Sequence, residues 1–93
     1  MRYAARVDGN QTSIVNHFRH CGASVYVLKL PVDLLLGYAG KTALVEIKDP
    51  TSAYGRRGAN DNQRSFMESW KGGTVAIVDS IEAADKLLKV LQS

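Results

Sequence analysis

Two apolar runs separated by a two-residue loop constrain the fold of this chain more than any other feature. The first run, VDLLLGY, covers residues 32–38, and the second, KTALVEIK, covers residues 41–48, so only Ala39 and Gly40 lie between them. Two strand-like segments joined by a short loop that contains glycine predict a β-hairpin. The length of this loop also determines which residues face each other across the hairpin.

The register of the predicted hairpin brings three charged residues to one face of the sheet. Tyr38 is expected to face Lys41, since both adjoin the loop. In the same register, Asp33 lies directly opposite Glu46. Directly opposed residues share one face of the sheet, with Cβ atoms about 4.5–5.5 Å apart. Lys48 lies two positions beyond Glu46, so the strand period of two places it on that face as well.

Two opposed carboxylates repel each other, which raises the pKa of one of them unless a cation lies between them. A hard divalent metal such as Mg²⁺ binds one or two protein carboxylates and keeps water and phosphate oxygens as its other ligands. With Lys48 to neutralise a phosphate or orient a metal-bound water, the set fits metal-assisted phosphodiester hydrolysis. Two structural alternatives stay open. Asp33 can be only a turn residue after Pro31, and Glu46 can form a salt bridge with Lys48 or Lys41.

Composition limits the classes of protein to which the chain can belong. Its 93 residues predict a single domain, and its one cysteine excludes an intrachain disulfide framework and suits a reducing cytoplasm. No apolar run approaches the roughly 18 residues of a transmembrane helix, and the N-terminus lacks the core of a signal peptide. The net charge of +3 is compatible with an anionic partner such as nucleic acid.

The rest of the chain reads as helices and strands in alternation, in the order αβββαβα. Helices are predicted over residues 10–22, over residues 61–73 and after Ser80, and strands over residues 24–30, 32–38, 41–48 and 74–78. A three-strand meander, a crossover helix and a parallel strand predict an α/β fold, with a mixed sheet flanked by helices. Residues 1–9 are expected to form a loose lead-in, and residues 49–60 a long basic loop.

Capping residues and apolar stripes define the predicted helices. We expect Asn10 to be the N-cap of the first helix, Gly22 to end it, and Ser80 to cap the last one. The residues predicted to face inward are Gln11, Ile14, Val15 and Phe18 in the first helix, Gln63, Phe66, Met67 and Trp70 in the second, and Ile81, Ala84, Leu87, Leu88 and Leu91 in the third.

The charged set resembles the signature of the PD-(D/E)xK nuclease superfamily. Asp33 precedes the triplet Glu46-Ile47-Lys48 by thirteen residues, and Gln63 opens the helix that follows. The small size and the downstream sequence NQRSFMESWKGGTVAIVDS are most similar to the VRR-NUC branch, which includes stand-alone phage and bacterial proteins related to Holliday junction resolvases. The resemblance implies a restriction-endonuclease-like core.

The resemblance also implies roles for individual residues. Asp33, Glu46 and the carbonyl of Ile47 would bind Mg²⁺ or Mn²⁺, Lys48 would support the attacking water, and Gln63 would complete the catalytic set. Related nucleases commonly carry a glutamate in the first helix, where this chain offers Gln11. A neutral amide there puts a second metal in doubt, and Gln11 can instead satisfy strand ends or loop carbonyls.

Basic and aromatic residues near the predicted site are candidates for contacts with nucleic acid. Arg56 and Arg57 lie between glycines in the long loop and are expected to bind phosphates, with Arg64 and Lys71 as weaker candidates. Tyr54 is a candidate for stacking against a base. A solvated loop with no such function is the structural alternative for these residues.

The sequence therefore predicts a metal-dependent endonuclease that cuts DNA, duplex or branched, such as a Holliday junction or a flap. A homodimer is expected, because two sites related by a twofold axis suit the cutting of two strands. The expected location is the cytoplasm of a bacterial or phage-infected cell. The alternatives are a non-catalytic nucleic-acid-binding module and a structural or interaction domain with a salt-bridged face.

The first predicted helix also contains a possible metal-binding group, His17, His20 and Cys21. The group lacks a second Cys/His pair at ligand spacing, so these residues are predicted to lie at the helix surface or helix end.

Overall fold

The computed structural model describes residues 9–49 and 61–93 of the chain. Within these residues the elements follow in the predicted order: α1 (Gly9–His20), β1 (Ser24–Val27), β2 (Leu34–Tyr38), β3 (Lys41–Ile47), α2 (Asp61–Ser69), β4 (Thr74–Val78) and α3 (Ile81–Gln92). The four strands form one mixed sheet in the order β1-β2-β3-β4. The first three strands are antiparallel, and β4 runs parallel to β3. The predicted α/β class, with a mixed sheet flanked by helices, is confirmed.

The hydrophobic core lies between one face of the sheet and the helices α1 and α3. Both helices contact the strands on this face and also pack against each other. Alternate residues of the central strand β3 point into this core, because successive side chains of a strand point to opposite faces. The largest fully buried side chains are Phe18, Ile14, Leu34, Leu36, Leu91, Val32, Val45 and Val78. The other face of β3 carries Glu46, whose neighbours in sequence both point into the core.

The hairpin between β2 and β3 has the predicted register. Tyr38 pairs with Lys41, and the pairing continues to Leu34 opposite Val45. Ala39 and Gly40 form the loop, with φ of 54° and 77° respectively. Positive φ at both loop residues is what a type I′ turn requires, and this turn matches the twist of an antiparallel pair. The loop therefore determines the alignment of the two strands that bring Asp33 and Glu46 together.

Local signals end α1 and begin α3 as the sequence predicts. Gly22 has a φ of 95° and donates its amide to Arg19 O, while the amide of Ala23 bonds to Phe18 O. These two bonds are those of a Schellman motif, in which a residue with positive φ ends the helix. At the start of α3, the hydroxyl of Ser80 accepts a 3.0 Å hydrogen bond from the amide of Ala83.

Four of the sequence-based expectations for the elements are wrong in detail. Asn10 lies inside α1 rather than capping it, because the helix already begins at Gly9. Strand β1 ends at Val27, and the next amide, that of Leu28, bonds to Asp33 O in the connection to β2. Helix α2 ends at Ser69 instead of residue 73, and Ile81 is 39 % exposed because it lies at the first position of α3.

Trp70 is not a core residue, contrary to expectation. It follows the last residue of α2 and remains 42 % exposed. Its indole packs on Phe66, with ring centroids 5.3 Å apart, and its Nε1 donates a 3.1 Å hydrogen bond to the carbonyl of Gly73. The indole also covers Gly72, where an added Cβ would lie 2.4 Å from the ring. The tryptophan thus closes the turn between α2 and β4.

No helix in the described parts of the chain is long and apolar enough to cross a lipid bilayer.

Candidate functional site

Two charged side chains are buried at the carboxyl end of β3, on the face opposite the core. Glu46 is 2 % exposed and Lys48 is 6 % exposed, and they are the buried polar or charged residues of the described chain. Their strand neighbours Val45 and Ile47 point into the core on the other face. A buried charge is costly unless it is paired and hydrogen-bonded, so its surroundings decide what it can do.

Asp33 lies beside this pair, although strand pairing ends one residue short of it. The last pair of the β2–β3 ladder is Leu34 with Val45, so Asp33 occupies the next position of the register. Its Oδ2 accepts a 2.7 Å hydrogen bond from the amide of Ile47, in the place where a strand partner would bond. The carboxylate of Asp33 is near enough to repel that of Glu46 and raise the pKa of Glu46. The register therefore brings the two carboxylates together as predicted.

Gln63, at the start of α2, connects Glu46 to Lys48. Its Nε2 donates a hydrogen bond to Glu46 Oε2 at 2.5 Å, and its Oε1 accepts one from Lys48 Nζ at 3.4 Å. Lys48 Nζ also forms an ion pair with Glu46 Oε2 at 3.5 Å. Through Gln63, the start of α2 contacts Glu46 on the face of the sheet opposite the core. We call Asp33, Glu46, Lys48 and Gln63 the Glu46 site.

The carboxylate of Glu46 is held in an unfavourable environment. Burial raises its pKa, and repulsion by Asp33 adds to this effect, while Lys48 and Gln63 lower it; the result is a pKa of about 7 against an ordinary value of 4.5. Both contacts of the group use Oε2. The other oxygen, Oε1, is buried and has no hydrogen-bond partner among the described residues. A buried acceptor without a partner is uncommon in folded proteins and calls for an explanation.

The donor set of the Glu46 site suits a hard divalent cation. Glu46 Oε1 offers an unpaired carboxylate oxygen, and Asp33 offers a second carboxylate whose Oδ2 is already bonded to the Ile47 amide. Mg²⁺ and Mn²⁺ prefer oxygen ligands, and Mg²⁺ is commonly bound by one or two carboxylates. A cation there would offset the repulsion between the two carboxylates and give Oε1 a partner. The residues present are therefore compatible with the metal that the resemblance implies.

The structure describes only some of the other predicted site residues. Gln11 is half-buried in the first turn of α1, and Arg64 and Lys71 are exposed, on α2 and just after it. Tyr54, Arg56 and Arg57 lie outside the described residues, as does nearly all of the predicted loop. The structure thus brings together the acidic residues, Lys48 and Gln63, while the predicted phosphate contacts stay predictions.

Asn10, rather than Gln11, makes the hydrogen bonds to strand-end carbonyls that the sequence suggested for Gln11. Its Nδ2 donates hydrogen bonds to the carbonyls of Lys48, at 2.7 Å, and Asp79, at 3.0 Å, which follow β3 and β4. Helix α1 is thereby attached to the carboxyl ends of β3, which carries Glu46, and β4. A signal for this role exists in the sequence, since Asn10 lies four residues before Ile14 on the buried stripe of α1.

Comparisons of this chain with protein-family models, with curated proteins and with solved structures gave no match.

Proposed function

We propose that this chain is a metal-dependent endonuclease that hydrolyses phosphodiester bonds in DNA. The observation that carries the proposal is the buried carboxylate of Glu46, whose Oε1 has no partner among the described residues and which lies beside Asp33. A purely structural network would place opposite charges together, whereas this one also places like charges together. On this proposal the αβββαβα arrangement is a restriction-endonuclease-like core.

Each residue of the Glu46 site has a role in the proposed reaction. Asp33 and Glu46, with the carbonyl of Ile47, would hold Mg²⁺ or Mn²⁺. When bound, such an ion supplies an activated water and stabilises charge on the phosphate. Lys48 brings a cation to within 3.5 Å of Glu46 Oε2, where it can neutralise a phosphate oxygen or orient a water.

Gln63 positions the other two side chains on this proposal. It donates to Glu46 Oε2, which leaves Oε1 for the metal, and it accepts from Lys48 Nζ, which limits where the ammonium group can lie. Binding of the DNA backbone would use exposed cations near the site, with Arg64 and Lys71 on or next to α2, and Arg56 and Arg57 in the loop before it. A net charge of +3 favours such binding.

A cleavage assay with charge-matched variants tests the proposal. Labelled linear duplex and a labelled four-way junction are incubated with Mg²⁺, with Mn²⁺ or with EDTA. Asp33→Asn removes a charge but keeps an oxygen for the Ile47 amide, and Lys48→Gln keeps a donor for Gln63. Lys86→Gln, at an exposed position on α3, is the matched control for loss of one positive charge.

Three outcomes separate the candidate functions. Metal-dependent cutting that both site variants lose and Lys86→Gln retains supports the endonuclease. Binding of DNA by the wild type without cutting supports a non-catalytic binding module. If the wild type neither binds nor cuts, the Lys48–Glu46 ion pair is best explained as part of a structural or interaction domain. The proposed homodimer is tested in parallel by light scattering with and without the junction.

A further inference from the structure

A second group of metal-ligating side chains lies on α1, just after it and on α3, the two helices that cover the core face of the sheet. His17 is in the last part of α1, and Cys21 follows it by four residues, so the two occupy the same side of the helix. Asp85, 68 residues after His17, comes from α3, which packs against α1. The three donor atoms lie within 4.8 Å of one another. The fold therefore supplies a third ligand that spacing along the sequence could not reveal.

The donor atoms of Asp85 and Cys21 both lie near the same nitrogen of His17. His17 Nε2 lies 2.7 Å from Asp85 Oδ1 and 3.6 Å from Cys21 Sγ. In a relay that activates a nucleophilic cysteine, the acid and the thiol use the two different nitrogens of the imidazole. Here both use the same nitrogen, which argues against such a relay. Donors that crowd around one position are instead typical of a metal site.

One of the two short separations already agrees with tetrahedral zinc geometry, and the other requires a small movement of Asp85. Bonds of about 2.05 Å to nitrogen and 2.3 Å to sulfur place these two donors about 3.5 Å apart in a tetrahedral site. The observed distance between Cys21 Sγ and His17 Nε2 is 3.6 Å. The His17–Asp85 distance of 2.7 Å must open by about 0.6 Å to reach the corresponding nitrogen–oxygen separation. Asp85 is 51 % exposed, so rotation of its side chain can accommodate this change.

We propose that His17 Nε2, Cys21 Sγ and a carboxylate oxygen of Asp85 bind one Zn²⁺ ion, with water as the fourth ligand. On binding, the ion takes the place of the proton between His17 Nε2 and Asp85; that proton passes to His17 Nδ1 when the imidazole is neutral, or to solvent when it is protonated, and the thiol of Cys21 releases its own proton to solvent. A mixed nitrogen, sulfur and oxygen set selects zinc over Mg²⁺, which prefers oxygen alone. The site is thus chemically distinct from the Glu46 site and does not depend on the proposed nuclease activity.

Such an ion would connect α1 to α3 and would stabilise the folded chain. Both helices cover the core side of the sheet, and the ion would fix their relative position through one residue of α3 and two at the end of α1. A ligand that binds only the folded state raises stability in proportion to the logarithm of its concentration. Zn²⁺ at 100 times its dissociation constant is expected to raise the melting temperature by on the order of 10 °C.

The test uses the full chain without an affinity tag, because the chain has one cysteine and two histidines. Zn²⁺ is titrated by calorimetry, and Co²⁺ replaces it to give the charge-transfer absorption of a thiolate–metal bond. The reaction of Cys21 with a thiol reagent is timed with Zn²⁺ and with a chelator. The site variants are His17→Asn, Cys21→Ser and Asp85→Asn. His20→Asn is the matched control, since it removes the other histidine of the same helix.

The expected result is one Zn²⁺ per chain, a thiolate–Co²⁺ band and protection of Cys21 that a chelator reverses. Each site variant is expected to weaken binding by more than about tenfold, and His20→Asn to leave it unchanged. Glu46→Gln is also expected to leave it unchanged, which separates this site from the Glu46 site. Binding without the thiolate–Co²⁺ band, or equal binding by wild type and Cys21→Ser, would overturn the proposal, as would the absence of Zn²⁺ binding.

Discussion

The buried carboxylate of Glu46 is expected to reduce the stability of the metal-free protein, and Glu46→Gln is expected to relieve that cost. Glutamine has the same shape and keeps an oxygen that can accept the hydrogen bond of Gln63. It carries no charge, so burial and the neighbouring Asp33 no longer oppose it. The substitution therefore isolates the free energy of ionising this one side chain.

The size of this stability cost follows from the pKa of Glu46. Burial and the repulsion by Asp33 raise this pKa from 4.5 in the unfolded chain to about 7 in the folded protein. At 1.36 kcal/mol for each pH unit, ionisation costs the folded state about 3 kcal/mol above pH 7. Between pH 4.5 and pH 7 the unfolded chain has lost a proton that the folded protein keeps. Stability from this group therefore falls as the pH rises through that interval, and then stays constant.

Denaturant unfolding from pH 4 to pH 8 in the presence of EDTA measures the effect. The free energy of unfolding of Glu46→Gln minus that of wild type is expected to be near zero at pH 4 and to reach about 3 kcal/mol at pH 8. Taking this difference cancels the titration of groups that do not interact with Glu46. Glu68→Gln, at an exposed position of α2, is the matched control and should show no such trend. A difference that does not change with pH refutes the reasoning.

The same unfolding measurement, repeated with Mg²⁺ in place of EDTA, tests whether Glu46 is a metal ligand. At pH 8 the ion is expected to raise the unfolding free energy of wild type and not that of Glu46→Gln. The reason is that a charged carboxylate attracts Mg²⁺ strongly enough to offset its loss of bound water, whereas a neutral amide does not. At pH 5 the proton competes for Glu46, so the stabilisation of wild type by Mg²⁺ should be smaller. Equal stabilisation of both proteins at pH 8 would show that Glu46 is not a ligand.

Three further substitutions test contacts that hold the site and its supporting elements, each followed by thermal and denaturant unfolding. Asn10→Ala removes donors from the carbonyls of Lys48 and Asp79 and should cost about 1–3 kcal/mol; Asn10→Asp should cost more, because it turns an acceptor toward two carbonyls. Ala39→Asn should stabilise by up to about 1 kcal/mol, because asparagine tolerates the φ of 54° better than alanine, and a loss would contradict the turn geometry. Gly22→Ala should cost about 1 kcal/mol through backbone strain alone, since nothing lies within 4 Å of the added Cβ; no loss would argue against the positive φ.

The hairpin and its register could be predicted because they depend on local signals. The two-residue loop, the run of strand-forming residues and the alternation of side chains all act within a segment of 17 residues, 32–48. The placement of Glu46 and Lys48 on one face of the sheet followed from the same alternation. Capping of α3 by Ser80 and the end of α1 at Gly22 are equally local, and both are confirmed.

Contacts between distant segments could not be predicted in the same way. The hydrogen bonds of Asn10 join α1 to residues 38 and 69 positions away, and they override its tendency to cap a helix. Asp85 meets His17 only because α1 and α3 pack side by side. Helical spacing predicts Trp70 in the core, but the helix ends one residue before it. For Asn10 and Asp85 the packing of elements, rather than the local pattern, decides the outcome, whereas for Trp70 it is the earlier end of the helix.

The alternation of side chains along β3 also means that Glu46 and Lys48 disfavour a wrong alignment of the hairpin strands. A slip of the hairpin by one residue would turn Val45 and Ile47 toward the charged face and force Glu46 and Lys48 into the apolar core. Burying those two charges in the apolar core, away from Gln63, would cost several kcal/mol, which is comparable to the whole stability of a domain of this size. Misaligned forms of the sheet are therefore excluded by the same side chains that give the aligned form its chemistry, so a molecule that has folded has also assembled its site.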